Sequence, residues 1–231
     1  MALGFALARA RVTLGRLFAQ RCFFLFLAQV AVIAVVPIAF RTAQGQTLLN
    51  LVDAVILLAA AAAVGRTTAS FAFAVTLAIA TMLLQFAAAR TADHELWTLY
   101  MLCLAAYYAV VLVLLLAYVF RRDVMTMDKL WGAAAAYMLL GLVWAVVYAL
   151  VQHHVPASLA IGGTARDLDG ADLLYFSFTV LTSAGFGDIV PVRQPAKTAV
   201  VFQQIVGTLY VAILIARLID AYPSQHREGA T

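Results

Sequence analysis

Residues 181–191 read Leu181-Thr182-Ser183-Ala184-Gly185-Phe186-Gly187-Asp188-Ile189-Val190-Pro191. The apolar, aromatic segment Asp172–Thr182 precedes this run, and the long apolar stretch Thr198–Ala221 follows it. Two glycines one residue apart interrupt any helix, and both adopt positive φ at little steric cost. Alternating dihedrals of that kind let successive backbone carbonyls face the same way. Non-helical backbone at membrane depth is tolerated only where protein shields it or where it lines a water-filled path. A short helix, then Gly-x-Gly, then a span is therefore the order of a re-entrant segment. Asp172–Ile189 reads as such a segment and not as a further crossing.

The surrounding chain fits a membrane setting. It is 65% hydrophobic and 11% charged, more apolar surface than a soluble domain can bury. Six stretches qualify as spans: Cys22–Phe40, Leu48–Val64, Ala69–Ala89, Leu96–Phe120, Leu130–Val151 and Thr198–Ala221. Each is long enough for the ~30 Å hydrocarbon core. The expected fold class is an all-α membrane protein with six transmembrane helices and a short re-entrant helix and loop, which the resemblance given below implies to be a pore helix and a selectivity-filter loop.

Lys and Arg set the expected orientation. Arg9, Arg11, Arg16, Arg21, Arg66, Arg121, Arg122, Lys129, Arg217 and Arg227 fall on one side. Arg41, Arg90, Arg166, Arg193 and Lys197 fall on the other. The first set is larger, so both termini are expected in the cytoplasm. The net charge of +4 follows from this asymmetry; the basic residues form no stripe, which argues against nucleic acid as a partner. The first apolar run is too long for a signal peptide and lacks a small-residue cleavage site at the right place. Residues 2–21 could form a helix on the inner leaflet, although their arginines do not cluster on one face.

The expected domains are a cytoplasmic N-terminal segment, 1–21, and a four-helix bundle, 22–120. A charged cytoplasmic linker, 121–129, leads to a pore unit, 130–222, and a short tail, 223–231. With only residues 223–231 after the last span, no soluble regulatory domain is expected there. Cys22 and Cys103 both fall within spans and read as small apolar residues. No Ser-His-Asp, metal-ligand or phosphate-binding constellation appears in the sequence, so an enzyme is not expected and no cofactor is implied.

Ser183-Ala184-Gly185-Phe186-Gly187 resembles the potassium-channel selectivity filter, usually Thr-Val-Gly-Tyr-Gly. The core Ser and Gly-Phe-Gly is similar to that of ether-a-go-go-related channels. From about Asp128 to Tyr222 the chain resembles a bacterial group of six-span, ion-channel-like proteins. Leu130-Trp131-Gly132-Ala133, Tyr137 to Trp144, Leu174 to Phe178 and Gly207 to Leu218 carry that likeness. The resemblance implies a homotetrameric potassium channel in the bacterial inner membrane, with lipid and potassium ions as its partners. Filters of this kind replace an ion's water with rings of carbonyl oxygens. One strand of carbonyls cannot surround an ion, so four copies about an axis are implied.

Roles follow by position. Thr182, Ser183, Ala184, Gly185, Phe186 and Gly187 would form the filter, with potassium at the backbone carbonyls of Ser183, Ala184, Gly185 and Phe186. Asp188 would hold the outer mouth by bonding to the pore-helix surround. Gly207 would be a hinge. Thr208, Val211, Ile215 and Ile219 share one helical face and would line the pore. Two departures bear on selectivity. Phe186 lacks the hydroxyl that a Tyr would offer to an aromatic cuff, expected at Tyr175 and Phe176. Ala184 is smaller than the usual Val and leaves slack behind the carbonyls. A weakly selective cation channel therefore stays open beside the potassium-selective one, as does a non-conducting scaffold or transporter subunit.

Asp172 is expected near the pore-helix N-terminus, where it complements the helix dipole. Asp53, near the start of the second span, is expected to reach water, Arg41 or Arg90. His153 and His154 are expected as solvated loop residues beyond the fifth span. Arg217 is expected to reach the inner surface and pair with Asp220. The fourth span, Leu96–Phe120, contains no Lys or Arg and so no voltage-sensing charges.

Overall fold

The structure is a computed structural model, and it describes residues 21–40, 45–64, 68–91, 93–121 and 124–221. The N-terminal segment, the tail 223–231, and Arg41, Arg66 and Arg122 lie outside the described residues. So do Arg9, Arg11, Arg16 and Arg227 of the orientation count. In chain order come α1 (Arg21–Ala39), α2 (Gly45–Val64), α3 (Thr68–Thr91), α4 (His94–Val119) and α5 (Met127–His154). Then follow β1 (Leu159–Ile161), β2 (Thr164–Arg166), α6 (Gly170–Leu181), β3 (Ile189–Pro191) and α7 (Gln194–Ala221).

Among the described residues, α1, α3, α4, α5 and α7 are long and apolar enough to cross a membrane. Helix α2 has 20 residues and a single charged side chain, Asp53. By contrast α6 has 12 residues, about 18 Å, well short of the hydrocarbon thickness. It ends where Gly-x-Gly begins, so the apolar stretch around it does not continue as one crossing.

Local chemistry sets the helix starts. Asp93 caps α4 by accepting from the Glu95 amide, and Thr126 caps α5 by accepting from the Lys129 amide. Asp169 caps α6: its carboxylate accepts from the amide of Asp172 at 2.9 Å. Such caps satisfy amides that a helix start otherwise leaves free. Asp172 sits in the first turn of α6, where its charge suits the dipole. The cap itself is Asp169, legible in the Asp-Gly-Ala-Asp spacing but not anticipated.

Helix α5 holds the molecule together. It packs against α1 and α4 on one side and against α6 and α7 on the other. One apolar core runs continuously through this junction, from Leu25 and Ile56 through Tyr107 and Leu139 to Leu181 and Tyr210. Helices α1–α4 thus lean on α5–α7 of their own chain. At the linker end, Asp128 accepts from the Cys22 amide at 3.0 Å and the Tyr118 hydroxyl at 2.8 Å. Cys22 also points its thiol at Asp128, so it is more than a small apolar filler. The carbonyl of Arg121 accepts from both Lys129 and Arg217, tying the linker to the end of α7. Arg217 also pairs with Asp220 at 3.1 Å, as its spacing suggested.

The all-α expectation needs a correction. A three-stranded antiparallel sheet, in the order β2-β1-β3, lies in the connections on either side of α6. Gly162 and Gly163 both have positive φ, +57° and +81°. That matches a two-residue type I′ hairpin turn. Three-residue strands are too short to show an alternating pattern, but the Gly-Gly pair was a usable signal.

Two other expectations change. His153 and His154 form the last turn of α5 rather than a loop, with His154 exposed. The His153 ring stacks on His94 at 3.6 Å and lies against Trp97 at 4.1 Å, joining α4 to α5. Asp53 does not meet Arg90, whose guanidinium lies over Phe86. It accepts instead from Gln85 at 2.7 Å and Tyr100 at 3.4 Å.

Candidate functional site

The loop after α6 has a regular backbone. φ is positive at Ser183, Gly185 and Gly187 (56°, 53° and 78°) and not at Ala184 or Phe186. The two glycines stand where positive φ was required of them. Ser183 is a third such position, and it was not anticipated. A non-glycine residue there costs about 1–2 kcal/mol, so the surrounding contacts must enforce it.

The enforcing contacts are amide bonds back to the helix end. Ser183 donates to the Val180 carbonyl at 3.0 Å, and Ala184 donates to the Thr179 carbonyl at 3.0 Å. Gly185 donates to the same Thr179 oxygen at 3.4 Å. In a trans peptide the N–H of one residue points opposite to the C=O of the residue before it. No cis bond occurs among the described residues. The carbonyls of Thr182, Ser183 and Ala184 therefore face away from the end of α6, as a row.

The far end of the loop is pinned separately. The Tyr175 hydroxyl donates to Asp188 at 2.8 Å, which ties the end of the loop to α6. The Asp188 carbonyl accepts from Gly162, and β3 then pairs with β1. The small sheet thus fixes where the loop leaves. Phe186 is 73% exposed in the single chain. Phe176, expected beside it, is instead buried against Tyr148 at 4.8 Å. Of the expected cuff, only Tyr175 faces the loop.

Beneath α6 a buried hydrogen-bond chain joins three helices. Tyr148 of α5 donates to Gln203 of α7 at 2.6 Å. Gln203 donates to the Ser177 carbonyl at 2.8 Å and its hydroxyl at 3.0 Å. Ser177 in turn donates to the Gly141 carbonyl at 2.7 Å. These residues set the seat of α6, yet sequence reasoning passed over Gln203 and Ser177. A lone Gln inside an otherwise apolar span was the available signal, since such residues there need a partner.

Glycine is required twice more. The Phe178 ring occupies the space that a Cβ at Gly141 would fill. A Cβ at Gly207 would stand 2.8 Å from the Leu181 carbonyl oxygen, at the base of the loop. Helix α7 runs unbroken through Gly207, so here the glycine serves close approach.

Thr182 and Ser183 share a concavity of about 380 Å³ with Thr208, Val211 and Ile215. The face predicted to line a pore thus meets the foot of the loop. Ile219 lies one turn further on, 70% exposed and outside that concavity. Much of the rest of α7 is uncovered, including Phe202, Ile205, Leu209 and Ile213.

Residues 132–223 match a family model described as Ion channel. The match takes in most of α5, the sheet, α6, the loop and α7, and spans less than half of the chain. The bundle α1–α4 lies outside it. No curated protein and no solved structure matches the chain. With five apolar helices of membrane-spanning length, the match makes this an integral membrane protein.

Proposed function

We propose that the chain is a potassium-selective channel, passing potassium passively through a pore formed by four copies. The observation that carries this reading is the row of carbonyls at Thr182, Ser183 and Ala184. Three consecutive amides turned back to α6 set that row, and φ alternates in sign along it and on to Gly187. Potassium sites at Ser183, Ala184, Gly185 and Phe186 extend the row outward. Other features favour a cation. The C-terminal end of α6 carries partial negative charge toward the concavity, and Asp188 makes the opposite mouth negative.

One chain supplies one wall of such a site, so the remaining walls come from other copies. The uncovered apolar face of α7 gives them a surface to pack on. In this reading α2 is the sixth span, the termini are cytoplasmic, and the membrane is the bacterial inner membrane. No step of the reading calls for catalysis or a cofactor.

Weakly selective cation conduction is the second reading, and a specific observation favours it. Phe186 brings no hydroxyl, and Phe176 is committed to the core, so the filter has less side-chain bracing than the resemblance implies. Reversal potentials of purified protein in planar bilayers with potassium on one side and sodium on the other separate the two. Reversal near the potassium equilibrium potential is expected. Reversal near zero points to weak selectivity, and absence of any cation current overturns both.

A further inference from the structure

A cavity of about 530 Å³ lies between the bundle and the pore unit, at the end where the sheet sits. It falls within the range of small-molecule sites, ~300–1,000 Å³. Asp53, Gln85 and Tyr100 form its polar wall, and Trp97 adds an aromatic face. The opposite wall belongs to the pore unit, through Ala149 and Leu173.

Asp53 is the unusual member. It is an acidic residue in a helix otherwise free of charge. Its Oδ2 accepts from two neutral donors, Gln85 and Tyr100. Gln85 Nε2 also donates to Asn50, so it is already shared. Among the described residues Asp53 has no ion pair. An ionisable group within a membrane segment is costly unless a partner offsets it. Here the group faces open volume rather than a basic side chain.

We propose that this cavity binds a small organic cation: an ammonium group on an apolar body. The ammonium would take the free capacity of Asp53, with the faces of Trp97 and Tyr100 adding cation–π attraction. The apolar body would lie toward Ala149 and Leu173. The volume suits a single-ring or short-chain amine and falls far short of a two-chain lipid. One wall is the first turns of α6, where the Phe40 ring also seats on Gly170. An occupant would thus touch the helix that carries the loop. Binding itself does not depend on whether the pore conducts.

The test uses purified full-length protein and two probes of equal shape, 2-phenylethylamine and 2-phenylethanol. Binding is read by the shift in thermal unfolding and by tryptophan fluorescence. The amine is expected to bind saturably, about tenfold or more tighter than the alcohol, the usual margin of a charge-assisted bond. Asp53→Asn keeps the shape and is expected to remove that margin. Ala149→Phe is expected to weaken both probes by filling the cavity. Equal binding of amine and alcohol to the parent protein overturns the proposal, and that comparison needs no variant. Amine binding to Asp53→Asn with parental affinity overturns it too. The same titration in vesicles of phosphatidylglycerol alone, or with phosphatidylethanolamine, separates the sources of the ammonium. Competition by the second lipid assigns the site to a headgroup, and its absence assigns it to a soluble amine.

Discussion

Gln203→Met is the most informative single change outside the filter loop. Gln203 is fully buried and makes three hydrogen bonds between helices. Met preserves its length and volume and removes all three. The consequences for the partners differ. Ser177 keeps its bond to the Gly141 carbonyl, so its hydroxyl remains satisfied. The Tyr148 hydroxyl loses its partner in a fully buried position. One orphaned buried group costs about 1–3 kcal/mol. Interhelical bonds in membrane proteins average nearer ~0.6 kcal/mol, with a maximum of about 1.7. The expected loss is therefore about 2 kcal/mol, most of it owed to Tyr148. Tyr148→Phe alone should cost about 1 kcal/mol, because it strands only one oxygen of Gln203. Combined, the two should cost less than their sum, with a coupling of about 1 kcal/mol. Equilibrium unfolding in mixed micelles measures all three variants. A loss below about 0.5 kcal/mol for Gln203→Met, or strict additivity, would refute the view that this chain seats the pore helix.

The remaining predictions concern the conduction path. Gly185→Ala or Gly187→Ala should abolish potassium flux in reconstituted vesicles while leaving membrane insertion intact, because each glycine holds a positive φ; normal flux in either variant removes the filter assignment. Gly207→Ala should destabilise the protein by about 1–3 kcal/mol through overpacking against the Leu181 carbonyl; a fully parental unfolding curve would show that α7 can yield without cost. Opening should not depend steeply on voltage: one charge crossing the field is worth ~2.3 kcal/mol per 100 mV, and α4 has no Lys or Arg. A steep conductance–voltage curve would contradict this. Lastly, lowering external potassium should hasten loss of current, and Ala184→Val with Phe186→Tyr should slow that loss. Identical rates over a wide potassium range would place any weakness elsewhere.

Sequence alone determined the features set by local chemistry. Membrane character follows from composition, since apolar side chains avoid water whatever their neighbours are. The extents of α1, α3, α4 and α5 were legible to within a few residues because hydrophobic length is itself the signal. Positive φ at Gly185 and Gly187 followed from the residue type. What the chain does with a polar residue inside a span was not legible, because partners from distant segments decide it. Asp53 found Gln85 and Tyr100 rather than Arg90, and Gln203 found Tyr148 and Ser177. Positive φ at Ser183 arises only because Thr179 and Val180 present carbonyls to the amides of the loop. The cavity beside Asp53 exists because five helices meet there, and no single stretch of sequence contains that meeting. Tertiary structure decided these points for one physical reason: a hydrogen bond or a void between helices depends on the positions of both, and sequence gives each position only along its own helix.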